Sequence, residues 1–281
     1  MAEPLPKTPA DGEPETDPLL LDPFRYGCRW RVVHGPRGEV TEERIPLTAE
    51  DLLDPELGDE VTQSGPHAKL AITLHDLLER HFEPDPDVLV TFDMKILWGV
   101  PGLPNPSPDI MFVRGVRDRE RSRSTYVVAE ERVLPSLIVE VVSYSDRAIR
   151  RNDYETKVEI YERVGIPEYL IADPPFSADD RLLLTGYRLG PDGRYRKIEP
   201  DRRGRLYSET TDLWFGVAED GQKVQVFDAA TGERLLTASE EAAARKRESQ
   251  ARQLEAEARR EAESEVARLR AELERLRKQS S

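Results

Sequence analysis

Residues 134–174 carry the strongest fold signal in this sequence and read LPSLIVEVVSYSDRAIRRNDYETKVEIYERVGIPEYLIADP. Its apolar run at 136–143 predicts a strand, and the segment at 148–164 predicts a helix that ends at Gly165. A further strand is predicted at 168–174. A strand, a helix and another strand in this order indicate an α/β fold class, a mixed sheet flanked by helices.

A carboxylate lies in the middle of the first of these strands. Glu140 has apolar neighbours on both sides, and Ile138 and Val142 at alternate positions are apolar too. Such a run is typical of a strand buried on both faces. Because a buried, unpaired carboxylate is costly, we expect Glu140 to be paired, protonated or bound to a metal. The alternative is a solvent-facing Glu on a half-buried strand.

A second carboxylate begins the preceding apolar strand, predicted at 109–114. Asp109 follows Pro108 and stands 31 residues before Glu140. A Pro-Asp pair at a strand start is also common turn chemistry, so Asp109 alone indicates little. Two carboxylates on neighbouring strands, however, can hold Mg²⁺, which fills its other positions with water and phosphate oxygens.

The predicted helix presents Asp153, Lys157 and Tyr161 along one face, because they are spaced i, i+4 and i+8. Two interpretations fit this spacing. Asp153 and Lys157 form an ordinary surface ion pair, or the helix brings an ammonium group to the two carboxylates.

Together these residues resemble the Uma-two family of restriction-endonuclease-like proteins, a branch of the PD-(D/E)XK nuclease superfamily. The family pattern has a Pro-Asp strand, a Leu-Val-Val-Glu-Val strand ending in Ser, and a helix with Asp, Lys and Tyr. A Gly-Val-x-Glu-Tyr-Trp-x-x-Asp-Pro segment follows. The matching positions are Pro108, Asp109, Glu140, Val141, Ser143, Asp153, Lys157, Tyr161, Gly165, Glu168, Tyr169, Asp173 and Pro174; the departures are Tyr144, Ile166 and Leu170.

The resemblance implies a restriction-endonuclease-like core and a metal-dependent endonuclease that hydrolyses phosphodiester bonds in DNA. Asp109 and Glu140, with the carbonyl of Val141, would bind Mg²⁺ or Mn²⁺, and Lys157 would be catalytic. The superfamily's name places the lysine two residues after the second acid, but Val142 stands there. Lys157 would therefore have to supply the ammonium group from the helix.

Accessory residues are predicted around this set. His67, at the start of a helix predicted at 67–81, would contact a phosphate or a metal-bound water. A lone histidine at a helix start is nevertheless more often a polar surface residue. Asp153 and Tyr161 are further accessory candidates on the second helix. Three arginines flank the predicted site and would meet the DNA backbone, or else form a solvated face: Arg147, Arg150 and Arg151.

The charge balance opposes a nucleic-acid partner. The 281-residue chain has a formal net charge of −14. From Ser239 onward there are 11 basic and 10 acidic residues, so the remainder carries −15.

A single cysteine, Cys28, excludes an intramolecular disulfide, and no apolar run reaches the length of a membrane span. We therefore expect a cytoplasmic protein.

Composition divides the chain into three predicted segments. Residues 1–24 form an acidic, proline-rich, disordered lead. Residues 25–238 form the nuclease-like domain, and residues 239–281 form a helical tail. Within the domain we expect a hairpin at 26–46, a short helix capped by Thr48, a surface loop at 115–133, and strands at 87–98, 181–189, 194–198 and 223–228.

The tail contains no Gly or Pro, which predicts one long helix. Its 3-4-3 apolar seam of Val266, Leu269, Leu273 and Leu276 predicts a coiled-coil homodimer, although a single solvated helix is the alternative. The sequence leaves two further functions open. One is a catalytically inactive nuclease-fold module that acts in binding or assembly through its tail. The other is a hydrolase of smaller phosphate substrates.

Overall fold

The computed structural model describes residues 22–143, 147–175, 177 and 179–279. Most of the predicted disordered lead therefore lies outside the described residues. The chain divides into two compact units, Met1–Leu235 and Leu236–Ser281.

The first unit contains all the described strands. These are β1 Gly27–His34, β2 Val40–Pro46, β3 Glu60–Val61, β4 Val88–Phe92, β5 Ile96–Leu97, β6 Ile110–Arg114, β7 Tyr126–Val127, β8 Leu137–Val141, β9 Glu168–Asp173, β10 Leu183–Leu189, β11 Tyr195–Lys197, β12 Leu206–Ser208, β13 Leu213–Val217 and β14 Val224–Asp228. The helices are α1 Gly65–Phe82, α2 Val128–Glu131, α3 Arg147–Arg151, α4 Lys157–Val164 and α5 Ala238–Gln279, with a 3₁₀ turn at Asp51–Leu53 and a π-helical turn at Asn152–Thr156.

A six-stranded mixed sheet in the order β11-β10-β9-β8-β6-β4 forms the centre of this unit. Strand β8 runs parallel to β9, with Glu140 opposite Ile171, and antiparallel to β6, with Val139 opposite Ile110. A parallel pair requires a crossover connection, which the helical segment 147–164 supplies. The predicted α/β fold class, a mixed sheet flanked by helices with a long C-terminal helix, is confirmed.

Both faces of β8 are buried, as its apolar run predicts. Val139 and Val141 pack in the cluster that contains the α1 leucines, whereas Ile138 packs with Ile160 of α4. Because alternate residues of a strand point the same way, Glu140 lies on the same face of β8 as Ile138. This is the face that packs against α4. The Glu140 carboxylate is consequently placed between the sheet and α4.

Several local predictions need correction. The strand predicted at 87–98 is two strands, because the chain turns at Asp93, whose φ is +48°. The predicted loop at 115–133 contains β7 and α2, and Tyr126 in it is completely buried. The short strands β3, β12 and β13 were not predicted, since two to five residues carry little periodicity.

Two smaller antiparallel sheets and a two-stranded parallel sheet of β5 and β7 make up the rest of the described strands. One antiparallel sheet has the order β2-β1-β3 and contains the predicted hairpin; the other has the order β12-β13-β14. The short helix predicted after Thr48 is a 3₁₀ turn at Asp51–Leu53; its N-cap residue is Glu50, although Thr48 Oγ1 accepts a hydrogen bond from the N–H of Asp51 at 3.2 Å.

The second unit consists of α5, which spans 42 residues. Thr237 and Glu240 exchange hydrogen bonds at its start, with Thr237 N–H donating to Glu240 Oε2 at 3.0 Å. Val266, Leu269 and Leu273 are all exposed, and the side chain of Leu276 lies outside the described residues. No helix in the described ranges is long and apolar enough to cross a membrane.

Candidate active site

Asp109 lies at the start of β6 and is 7% exposed. Its Oδ2 accepts a hydrogen bond from the main-chain N–H of Val141 at 2.7 Å, which fixes the carboxylate against the end of β8. Its Oδ1 lies 3.1 Å from His67 Nε2 on the first turn of α1. The sheet register and α1 together determine where this carboxylate points.

Glu140 is 2% exposed and has partners on both carboxylate oxygens. Tyr161 O–H donates to Oε1 at 2.7 Å, and Lys157 Nζ lies 3.0 Å from Oε2. The main-chain N–H of Asp109 is 3.4 Å from the same Oε2. Asp109 and Glu140 therefore converge, and the ammonium group of Lys157 lies beside them.

Lys157 reaches this position from a helix that changes geometry at the site. In the turn Asn152–Thr156 the N–H of Lys157 bonds to the carbonyl of Asn152, an i to i+5 bond. Turns of this kind often occur at functional sites. Asp153, 3% exposed, lies 2.8 Å from Lys157 Nζ. Lys157 is thus held between two buried carboxylates, and the interpretation as a surface ion pair is wrong.

The electrostatics of the site follow from burying these charges together. Burial raises the pKa of Glu140 to about 8, and the nearby Asp109 adds to the effect while Lys157 opposes it. Burial alone would lower the pKa of Lys157, but Asp153 and Glu140 outweigh it and raise that pKa. Burial likewise acts against the charged form of His67, yet its bond to Asp109 raises the His67 pKa. Lys157 accordingly keeps its proton at neutral pH.

These side chains line one cavity of about 460 Å³. Asp93 also lines it, and the N–H of Asp93 donates to the carbonyl of Asp109 at 3.1 Å. Another wall comes from the segment 55–63, which Arg29 holds through a bidentate pair with Asp59, both contacts being 2.7 Å. Sequence reasoning missed Asp93 and this wall. A polar Asp inside the predicted strand 87–98 was the available signal for Asp93.

The predicted accessory residues divide into two groups. His67 is 5% exposed and contacts Asp109, so the interpretation as a polar surface residue is wrong. Arg150 lies 2.7 Å from the buried Asp173, so the positive charge of Arg150 is paired within the protein. Arg151 pairs with Glu155 on the surface at 3.4 Å. The side chain of Arg147 lies outside the described residues.

Glu168, another residue of the matching pattern, lies at the opposite end of the sheet from the cavity. It is 1% exposed and accepts hydrogen bonds from Arg188 Nε at 2.8 Å and Thr210 Oγ1 at 2.7 Å. Arg188 also donates to the main-chain carbonyl of Tyr207, and the hydroxyl of the next residue, Ser208, donates to Glu168. Glu168 therefore joins the central sheet to β12 and has no contact with the cavity.

Comparisons with known proteins point to one family. Residues 49–218 match the model of the family described as "Uma2: Putative restriction endonuclease". No curated protein matches the sequence. A similar solved structure is described as "a putative nuclease belonging to DUF820 from Anabaena variabilis ATCC 29413"; the two chains are 12% identical, with a TM-score of 0.41 over 57% of this chain and 82% of that chain.

Proposed function

This chain belongs to the Uma2 family of restriction-endonuclease-like proteins, and we propose that it hydrolyses phosphodiester bonds in DNA with the help of Mg²⁺ or Mn²⁺. The observation that carries the proposal is the convergence of Asp109, Glu140 and Lys157 on one cavity. Burying each of these charged side chains costs free energy, and buried charges of this kind are concentrated at functional sites.

The donor set fits a hard divalent cation. Two carboxylates supply oxygen ligands, and Asp109 Oδ1 and Glu140 Oε1 each have one polar partner among the described residues, which leaves a lone pair on each. Among the described residues no group of three His, Cys, Asp or Glu side chains is arranged as a metal site. With two carboxylates and the carbonyl of Val141 as its protein ligands, Mg²⁺ would keep coordination positions open for water and phosphate oxygens. Burial raises the pKa of Glu140, and the same burial of negative charge favours a cation beside the carboxylate pair, which supports the proposal.

When bound, the cation supplies Lewis-acid activation of water and charge neutralisation at the phosphate. The side chains of the protein do the rest. Lys157 retains its proton and places positive charge where the phosphate gains negative charge, so it stabilises the transition state and is not a base. His67 and the N–H of Val141 hold the Asp109 carboxylate in orientation, and Tyr161 does the same for Glu140.

Nicking of supercoiled plasmid in Mg²⁺ or Mn²⁺, against EDTA, tests the proposal. Asp109→Asn should abolish nicking and retain the fold, whereas Glu159→Gln, on an exposed position of α4, should leave it unchanged. Wild-type protein that is inert on DNA and RNA with both metals would overturn the proposal and favour the non-catalytic module. Cleavage of RNA alone would overturn the choice of DNA.

We also propose that α5 pairs two copies of the chain, which would bring together the two sites that cut both strands of a duplex. Val266, Leu269 and Leu273 follow the spacing of a coiled-coil seam and are exposed in the single chain. Leu269→Gln/Leu273→Gln keeps good helix formers but removes the seam. Sedimentation equilibrium should show that this variant self-associates with a higher dissociation constant than the wild type. A dissociation constant equal to that of the wild type would exclude the seam as a dimer contact.

A further inference from the structure

The β1–β2 hairpin carries a row of exposed apolar side chains. Trp30, Val32 and Val40 are 48%, 53% and 63% exposed. They lie on one face, because Trp30 is paired across the strands with Arg44 and Val32 with Glu42, and alternate residues of a strand point the same way. An apolar row of this kind, bordered by charged residues, is typical of a contact surface.

Strand β2 is also a free edge, since the described part of this sheet has the order β2-β1-β3. Hydrogen bonds at both ends of the ladder show that the odd-numbered residues of β2 bond to β1. In an antiparallel pair the intervening residues point their main-chain groups away. The N–H and C=O groups of Val40, Glu42 and Arg44 therefore face outward along the edge.

We propose that a second copy of this chain occupies the edge, with β2 antiparallel to the β2 of the other copy about a two-fold axis at Glu43. In this register Glu42 lies opposite the partner's Arg44, and Arg44 lies opposite the partner's Glu42. Both are outward-facing positions, so each pair exchanges two main-chain hydrogen bonds and adds an ion pair. The two-fold axis makes each such pair occur twice in the contact.

The charges select this register from its neighbours. Moving the axis to Glu42 places that residue against itself, and moving it to Arg44 places two guanidinium groups together. Directly opposed like charges destabilise a sheet. At the proposed axis the two Glu43 side chains do face each other, but each lies opposite Arg31 within its own hairpin. The result is a continuous sheet in which Trp30 and Val40 of both copies share one face.

A nucleic acid fits this hairpin less well than a second copy does. The segment 30–44 has three basic and three acidic side chains, so it offers a polyanion no net positive charge; these are Arg31, Arg37 and Arg44 against Glu39, Glu42 and Glu43. Because Glu42 and Arg44 carry opposite charges, β2 is complementary to the β2 of a second copy in the proposed register.

Sedimentation equilibrium of the full-length Leu269→Gln/Leu273→Gln chain tests this contact without the seam on α5. The protein should form a dimer of twice its 32.0 kDa mass. Glu42→Arg and Arg44→Glu should each raise the dimer dissociation constant about tenfold or more, since each inverts two ion pairs. The double variant Glu42→Arg/Arg44→Glu should restore it, and Arg37→Glu, at the hairpin turn outside the register, should leave it unchanged.

Arg44 also stacks its guanidinium over Phe24, 4.7 Å from the ring centroid, so thermal unfolding must show that each variant is folded. If Arg44→Glu does not fold, Glu42→Arg and Glu42→Pro decide the matter. The proline removes one outward N–H and no bond to β1, and it should weaken the dimer as well. A monomer at every concentration, or a dimer insensitive to Glu42→Arg, or failure of the folded double variant to restore the dimer, would each overturn the proposal.

Discussion

Replacing Glu140 by glutamine should make the metal-free protein progressively more stable relative to the wild type as the pH rises. Burial raises the pKa of Glu140 from 4.5 to about 8, so between these values the folded protein holds a proton that the unfolded chain releases. The free energy of unfolding of the wild type therefore falls with rising pH across this window. Glutamine keeps the shape of the protonated acid and does not titrate.

The magnitude follows from the shift. One pKa unit corresponds to about 1.4 kcal/mol, so the full shift of Glu140 is worth up to about 5 kcal/mol, of which about 3 to 4 kcal/mol falls between pH 5 and pH 8. The advantage of Glu140→Gln over the wild type should grow by that amount over these three pH units, whatever constant difference the amide itself introduces.

Urea unfolding in EDTA at intervals from pH 5 to pH 8 measures this difference. Taking the variant minus the wild type removes the contribution of groups that titrate independently of Glu140. A second series with Mg²⁺ supplies the internal control. The cation should stabilise the wild type more at pH 8 than at pH 5, because it offsets the buried negative charge, and should stabilise Glu140→Gln much less.

Two results would contradict this prediction. If the wild type and Glu140→Gln lose stability in parallel as the pH rises, Glu140 does not carry a raised pKa in the folded protein. If Mg²⁺ stabilises both proteins equally at every pH, the cation binds somewhere that does not involve Glu140.

Three further substitutions separate the charges of the site from those of the scaffold. Lys157→Met should abolish nicking and lower the free energy of unfolding at pH 8 in EDTA by about 3–5 kcal/mol, measured by urea titration, because it leaves Glu140 buried without its cation. The pKa of His67 is raised above 6.5, so its pair with Asp109 contributes stability below pH 6.5 that is lost as the pH rises through the raised value. His67→Gln should remove this loss of unfolding free energy with rising pH. Glu168→Gln should cost about 2–3 kcal/mol of stability in the same assay, yet leave the Mg²⁺-induced rise in Tm unchanged.

Much of the site could be predicted because its signals are local. The apolar run around Glu140 indicates a buried carboxylate, since a strand with apolar side chains on both faces has no solvent side. The spacing of Asp153, Lys157 and Tyr161 places them on one helix face, and the lack of Gly or Pro after Ser239 predicts the long helix. These inferences depend on periods of two and 3.6 residues, which any short segment displays by itself.

Contacts between distant segments depend on strand order and register, which no local period encodes. His67 meets Asp109 across 42 residues because α1 and β6 pack together, and this contact turns an apparent surface histidine into part of the site. The π-helical turn alters the helix geometry beside Lys157, while the strand order puts Glu140 within 3.0 Å of its ammonium group. Composition along the chain determined which residues would be buried or helical. Tertiary packing decided which buried charges meet, because the energy of a charge pair depends on the distance between the two groups in the folded protein.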